Sequence, residues 1–198
     1  DGLWKVYYEN GQLRLESFFK DGKQDGPSKH YSENGQINDE ITYKDGKQDG
    51  TTKVYYENGL LKIEGTYKDG ELNGPNKLYH ENGQLSSEGI YKDGIQDGLW
   101  KVYYENGVLK TEGTYKDGEV NGLWKHYNEN RQIVREDTYK NGKLNGPYKI
   151  YYDNGQLISE GIIKDGEQNG FWKYYSENGT ILFEETFKDG ELIDSQEY

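Results

Sequence analysis

The chain has no Cys, no Met and no Ala, and only three His and three Pro in 198 residues. Without Cys it holds no disulfide, thiol nucleophile or cysteine metal site, and it suits an oxidising or a reducing compartment. No apolar run approaches the roughly 18 residues that cross a bilayer as a helix. Leu, Ile, Val and Phe make up only about 19% of the chain, and the net charge is −12. That balance borders on disorder and excludes a thick aliphatic core. Acidity of this strength disfavours nucleic acid and anionic membranes, both of which select Lys/Arg-rich surfaces. A chain that opens without Met is expected to be a fragment or processed piece of a longer parent.

What is present is aromatic and regular. Twenty Tyr and four Trp supply the apolar payload that the aliphatics lack. They recur at fixed places, which disorder does not require. An Asp-Gly or Asn-Gly pair returns every 24 residues, at Asp1, Asp25, Asp49, Asn73, Asp97, Asn121, Asn145 and Asn169. The copies are therefore 1–24, 25–48, 49–72, 73–96, 97–120, 121–144, 145–168 and 169–192, with 193–198 as a tail. A fixed period of this size signals a repeat array in which each copy packs on its neighbours. Residues 1–198 are expected to form a single repeat domain.

Places are numbered from each opening. In the first copy, Leu3 to Tyr8 reads as a strand, Glu9-Asn10-Gly11 as a turn, Gln12 to Phe19 as a second strand and Lys20-Asp21-Gly22 as a second turn. Lys23 and Gln24 then lead into the next opening. The prediction is all-β: sixteen short strands in an elongated, single-layer antiparallel meander of eight 24-residue hairpins, a twisted, solenoid-like ribbon. If the first turn pairs Tyr7 with Leu13, alternation places Leu3, Lys5, Tyr7, Leu13 and Phe19 on one side as the core. The seventeenth place, often Gly, joins that side, where a ring can lie over it. Trp4, Val6, Glu16, Phe18 and Lys20 fall on the other. Recurring Glu16 and Lys20 types there suggest a charge ladder, or simply a solvated face, since exposed pairs contribute only about 0–1 kcal/mol each.

Two irregularities stand out. The eighth place is Tyr8, Tyr56, Tyr104 and Tyr152 in odd copies, but Ser32, His80, Asn128 and Ser176 in even ones. Duplication in pairs is the simpler account, and different environments for alternate copies is the other. Copy six is degenerate: Arg131 replaces the turn Gly, which predicts an altered turn, and Asp137 replaces the strand Gly.

Tyr55, Asn58-Gly59, Glu64-Gly65, Tyr67, Asp69-Gly70 and Asn73-Gly74 trace a string that resembles the MORN repeat (membrane occupation and recognition nexus). Tyr-Tyr-Glu-Asn-Gly and Tyr-Lys-Asp-Gly look more like its bacterial variant, whose members are often described as antitoxin components. The likeness covers all eight copies. It implies consecutive hairpins in a twisted sheet, and a scaffold or recognition role instead of catalysis. It also points to the bacterial cell surface or secretion ahead of the cytoplasm. The lipid binding proposed for eukaryotic relatives is not carried over to so acidic a chain.

The local sequence offers little chemistry. His30, His80 and His126 lie in different copies with no adjacent partner motif for a nucleophile and base. Asp21 to Gly26 departs from the Asp-x-Asp-x-Asp-Gly calcium form, and ordinary turn chemistry explains it. No enzyme activity, metal or cofactor is expected. The sharper candidates are aromatic: Trp4, Trp100, Trp124, Trp172 and Tyr148 at the fourth place, with Tyr8, Tyr56, Tyr104 and Tyr152. Left exposed, such rings anchor partners; if the ribbon curls, the Trp become a second core. A protein partner is expected. The alternative is a carbohydrate or cell-wall module, because Trp-Lys-x-Tyr-Tyr-x-Asn-Gly is also similar to choline- or glucan-binding repeats.

Overall fold

A computed structural model describes residues Asp1–Tyr198. The structure has strands and turns only. It divides into two compact halves, Asp1–Gln96 and Asp97–Tyr198. The first half is a meander of β1 (Gly2–Tyr7), β2 (Leu13–Lys20), β3 (Lys23–Tyr31), β4 (Ile37–Lys44), β5 (Lys47–Tyr55), β6 (Leu61–Lys68), β7 (Glu71–Tyr79), β8 (Leu85–Lys92) and β9 (Ile95–Gln96). The second half continues with β10 (Gly98–Tyr103), β11 (Leu109–Lys116), β12 (Glu119–Tyr127), β13 (Ile133–Lys140), β14 (Lys143–Tyr151), β15 (Leu157–Lys164), β16 (Glu167–Tyr175), β17 (Ile181–Lys188) and β18 (Glu191–Glu197). Within each half every strand pairs antiparallel with its chain neighbours, in an open single layer.

The predicted turns are present and follow from their residues. Asp21 and Gly22 sit at φ 49° and 74°. That is a two-residue type I′ hairpin between paired Lys20 and Lys23. At the other end, Gly11 N–H donates to the Tyr8 carbonyl at 3.0 Å, and Tyr8 N–H to the Gln12 carbonyl at 2.8 Å. Gly11 has positive φ, and the Asn10 side chain accepts from Gln12 N–H at 2.9 Å. Arg131 keeps this turn, contrary to expectation. It takes φ 65°, and its N–H still reaches the Asn128 carbonyl at 3.0 Å. The hydrogen-bond frame holds the left-handed residue in place.

Three other expectations change. The repeated Asp-Gly opening is not a turn. Asp25 and Gly26 lie inside β3, where Gly26 (φ 122°) kinks the strand and the register against β2 shifts between Ser17 and Phe19. The I′ hairpin has already reversed the chain two residues earlier, so the pair can only bulge. The tail is also structured: as β18 it pairs with β17, and Tyr198 O–H donates to Glu184 at 2.8 Å.

The faces are reassigned as well. Tyr7 does pair with Leu13, but the register slips between Val6 and Tyr7, leaving Arg14 as an extra residue. One extra residue inverts the parity of everything beyond it. Trp4 therefore pairs with Ser17, and Val6 with Leu15, while Lys5 pairs with Glu16 and Leu3 with Phe18. The core lies with the fourth, seventeenth and nineteenth places. Trp100, Trp124, Trp172 and Ile163 are buried there, with Ser17, Ser28 and Asp137. Leu3 and Tyr7, expected in the core, are exposed.

Candidate functional site

The aromatic face is built by glycine. A Cβ on Gly113 would stand 2.0 Å from the Trp124 ring, and one on Gly161 would stand 2.3 Å from Trp172. Each indole therefore lies flat on the preceding copy and donates to its backbone, Trp124 to Thr114 O at 3.3 Å and Trp172 to Ile162 O at 3.2 Å. Tyr115 stands edge-on between Trp100 and Trp124, with centroids 5.9 and 5.3 Å away. Tyr148 and Phe187 contact Trp172.

Of the two alternatives for the indoles, burial holds for three and exposure for Trp4. Trp100, Trp124 and Trp172 are the floor of the face and leave almost no ring free. Trp4, on edge strand β1 with only one neighbour, is 61% exposed. Tyr148 is half-buried, as are Tyr8, Tyr56, Tyr104 and Tyr152.

Those four Tyr answer the odd–even puzzle. Tyr8 O–H donates to the Tyr31 carbonyl at 2.7 Å, Tyr56 to Tyr79 at 2.6 Å, Tyr104 to Tyr127 at 2.8 Å and Tyr152 to Tyr175 at 3.0 Å. Each odd copy is thereby tied to the even copy after it. Asn10, Asn58 and Asn154 add side-chain bonds to Glu33, Glu81 and Glu177. Ser32 and Ser176, at the same place in even copies, bond within their own turns, while Asn128 bonds within its turn and also to Asp153 of the next copy. Arg14, Lys62 and Lys110, from the bulged place, lie over the rings of Tyr8, Tyr56 and Tyr104 at 5.8, 5.3 and 5.3 Å.

The opposite face carries the charge ladder, with Lys from the fifth place instead of the twentieth. Lys5–Glu16, Lys29–Glu40, Lys53–Glu64, Lys125–Glu136, Lys149–Glu160 and Lys173–Glu184 pair across strands at 3.2–3.9 Å. The next copy's Tyr adds a bond to several of these ladder Glu: Tyr127 donates to Glu112 at 2.8 Å, Tyr151 to Glu136 at 3.0 Å and Tyr175 to Glu160 at 2.8 Å. Burial, then the hydrogen bond to Glu, then the carboxylate charges push all three phenols up to about 12.

Copy six holds what the local sequence did not show. Asp137, 1% exposed, accepts from His126 Nε2 at 2.8 Å and from Arg135 Nε at 3.1 Å. Tyr139 O–H is 3.4 Å away. On the other side His126 Nδ1 lies 3.3 Å from Thr111 Oγ1, and Nε2 also lies 3.2 Å from Arg135 Nη2. His30 is also paired, with Asp39 at 2.5 Å. Both partners come from across a hairpin, so no linear motif announces them. The one signal in the sequence was Asp137 at the seventeenth place, where four copies carry Gly; the sixth and fifteenth places vary from copy to copy. Thr111, His126, Arg135 and Tyr148 line a cleft of about 390 Å³. No three acidic or imidazole groups converge as a metal would need.

No curated protein matches the chain. A solved structure titled as the crystal structure of TcdB2-TccC3-Cdc42 aligns at 14% identity, over 96% of this chain and 12% of that one, with a TM-score of 0.19. So low a score carries no argument. The MORN repeat variant matches at residues 1–21, 24–45, 48–69, 72–93, 96–117, 120–141, 144–165 and 168–189. With hairpins throughout those spans, the chain belongs to the MORN repeat variant family, a family of repeat-based binding or scaffold modules.

Proposed function

We propose that the eight copies work as one repeat domain, a non-catalytic scaffold that binds a protein partner along its aromatic face. The observation that carries this is the build of that face. Buried indoles make a rigid floor, Tyr148 packs on Trp172, and Tyr104 and Tyr152 are half-buried and fixed by bonds to the next copy, with no second layer over the sheet. Tyr rings held in one place give contact area at little entropic cost. The buried Trp offer no free platform for sugar stacking, which is why protein is put ahead of carbohydrate. An antitoxin-like immunity protein of bacterial origin is a special case of this reading.

The test is affinity capture with three folded baits. The first is the wild type; the second carries Tyr148→Ser and Tyr152→Ser. The third carries Leu123→Ser and Phe171→Ser on the ladder face, where both residues are exposed. A protein kept by the wild type and the third bait but lost by the second supports the proposal. Loss from the third bait alone transfers the site to the ladder face. Capture of glycan only replaces the protein reading with the carbohydrate one.

A further inference from the structure

The cleft of copies five to seven reverses the charge of its surroundings. On a chain of net charge −12, its lining includes Lys110, His126 and Arg135, and no carboxylate reaches it. Asp137, bonded to His126 and Arg135, is sealed beneath. It acts as a positioning residue, fixing the guanidinium through Nε, 2.9 Å from Oδ1, and the imidazole through Nε2. Arg135 Nη2 also lies 3.2 Å from His126 Nε2, and the Arg135 side chain is 43% exposed. Lys110 is held over the Tyr104 ring. Val134, Ile150 and Tyr148 complete the lining with apolar surface. Among the eight copies only copy six sets His, Arg and Asp at the sixth, fifteenth and seventeenth places, so this combination occurs once in the chain.

From this we infer that the cleft recognises the carboxylate-bearing end of a partner polypeptide whose last residue is apolar. One such residue supplies both chemistries. Its carboxylate meets Arg135 and Lys110, a charge-assisted pairing in a half-buried setting. Its side chain packs on Val134, Ile150 and Tyr148. The inference rests on the protein-binding reading above and names what part of the partner that face takes.

The probe is N-acetyl-leucine, followed by backbone amide NMR of the intact chain. Its comparators are N-acetyl-leucine amide, which lacks the carboxylate, and N-acetyl-glutamate α-amide, which carries one on its side chain only. The expected result is saturable shifts at Thr111, His126 and Arg135, at least tenfold weaker binding of the amide, and weaker binding of the glutamate compound. Lys110→Ala, at an exposed position, weakens the acid severalfold with the spectrum otherwise unchanged. Arg135→Lys, which keeps the charge on Asp137, does the same. Equal binding of acid and amide, shifts away from the cleft, or indifference to both substitutions overturns the inference. Stronger binding of the glutamate compound replaces the chain end with an acidic side chain and overturns it equally. A captured partner that binds Lys110→Ala unchanged removes the cleft from recognition but leaves the protein-binding reading standing.

Discussion

The indole floor makes a steric demand that can be measured. Gly113→Ala places a Cβ 2.0 Å from Cδ2 and 2.2 Å from Cε2 of Trp124, well inside any tolerated approach. The ring has to leave. Forced overpacking costs about 1–3 kcal/mol, and loss of the indole bond to Thr114 O adds about 1 kcal/mol. A stiffer unfolded chain returns roughly 0.4–1 kcal/mol. The net is a loss of about 2–3 kcal/mol, read as a lower urea midpoint by circular dichroism. Gly65→Ala is the control. Its Cβ meets only the flexible ends of Asn76 at 3.0 Å and Leu72 at 3.2 Å, so a change within about 0.5 kcal/mol is expected. Pairing Gly113→Ala with Trp124→Asn, which installs the residue that faces Gly65 in copy four (Asn76), shows a favourable coupling of at least about 1 kcal/mol. Equal midpoints for the two single Ala variants would refute the reasoning, because they differ only in what the new methyl strikes.

Arg131→Gly relieves a left-handed, non-Gly turn residue and raises stability by about 1 kcal/mol in the same assay. Asp137→Ala leaves His126 and Arg135 without their buried acceptor and lowers stability by about 3 kcal/mol, whereas Asp39→Ala at the more exposed His30 pair costs less than about 1 kcal/mol. Absorbance near 295 nm shows Tyr127, Tyr151 and Tyr175 ionising near pH 12 in the folded chain. Their folded pKa lies above the unfolded value of about 10, so the stability they contribute is complete below pH ~10 and lost as pH rises through ~12. Tyr127→Phe should remove one phenol from the high-pH group; if it removes one that titrates near 10, the Glu112 bond is not present in solution.

Some of this was legible without a structure, for local reasons. The 24-residue period, both turns and the antiparallel meander follow from Asn-Gly and Asp-Gly, whose backbone needs do not depend on distant residues. The family likeness rests on the same residues. A relation across copies was also in the text of the chain and was overlooked: after the first copy, every Trp stands eleven residues behind a Gly, at Gly89, Gly113 and Gly161. Which face is buried was not legible. Tyr7 pairs with Leu13 in the expected way, yet one bulged residue, Arg14, turns the parity over, and no propensity distinguishes a bulge from a continuous strand there. The opening Asp-Gly failed for a related reason, since a glycine that suits a turn equally suits a kink within a strand. The copy-six cluster was invisible because His126 sits nine residues from Arg135 and eleven from Asp137, across a hairpin, and only the register brings it within hydrogen-bond reach of them. Local backbone chemistry is written in adjacent residues; face, burial and the contents of the cleft depend on cross-strand register, and register is a property of the folded sheet.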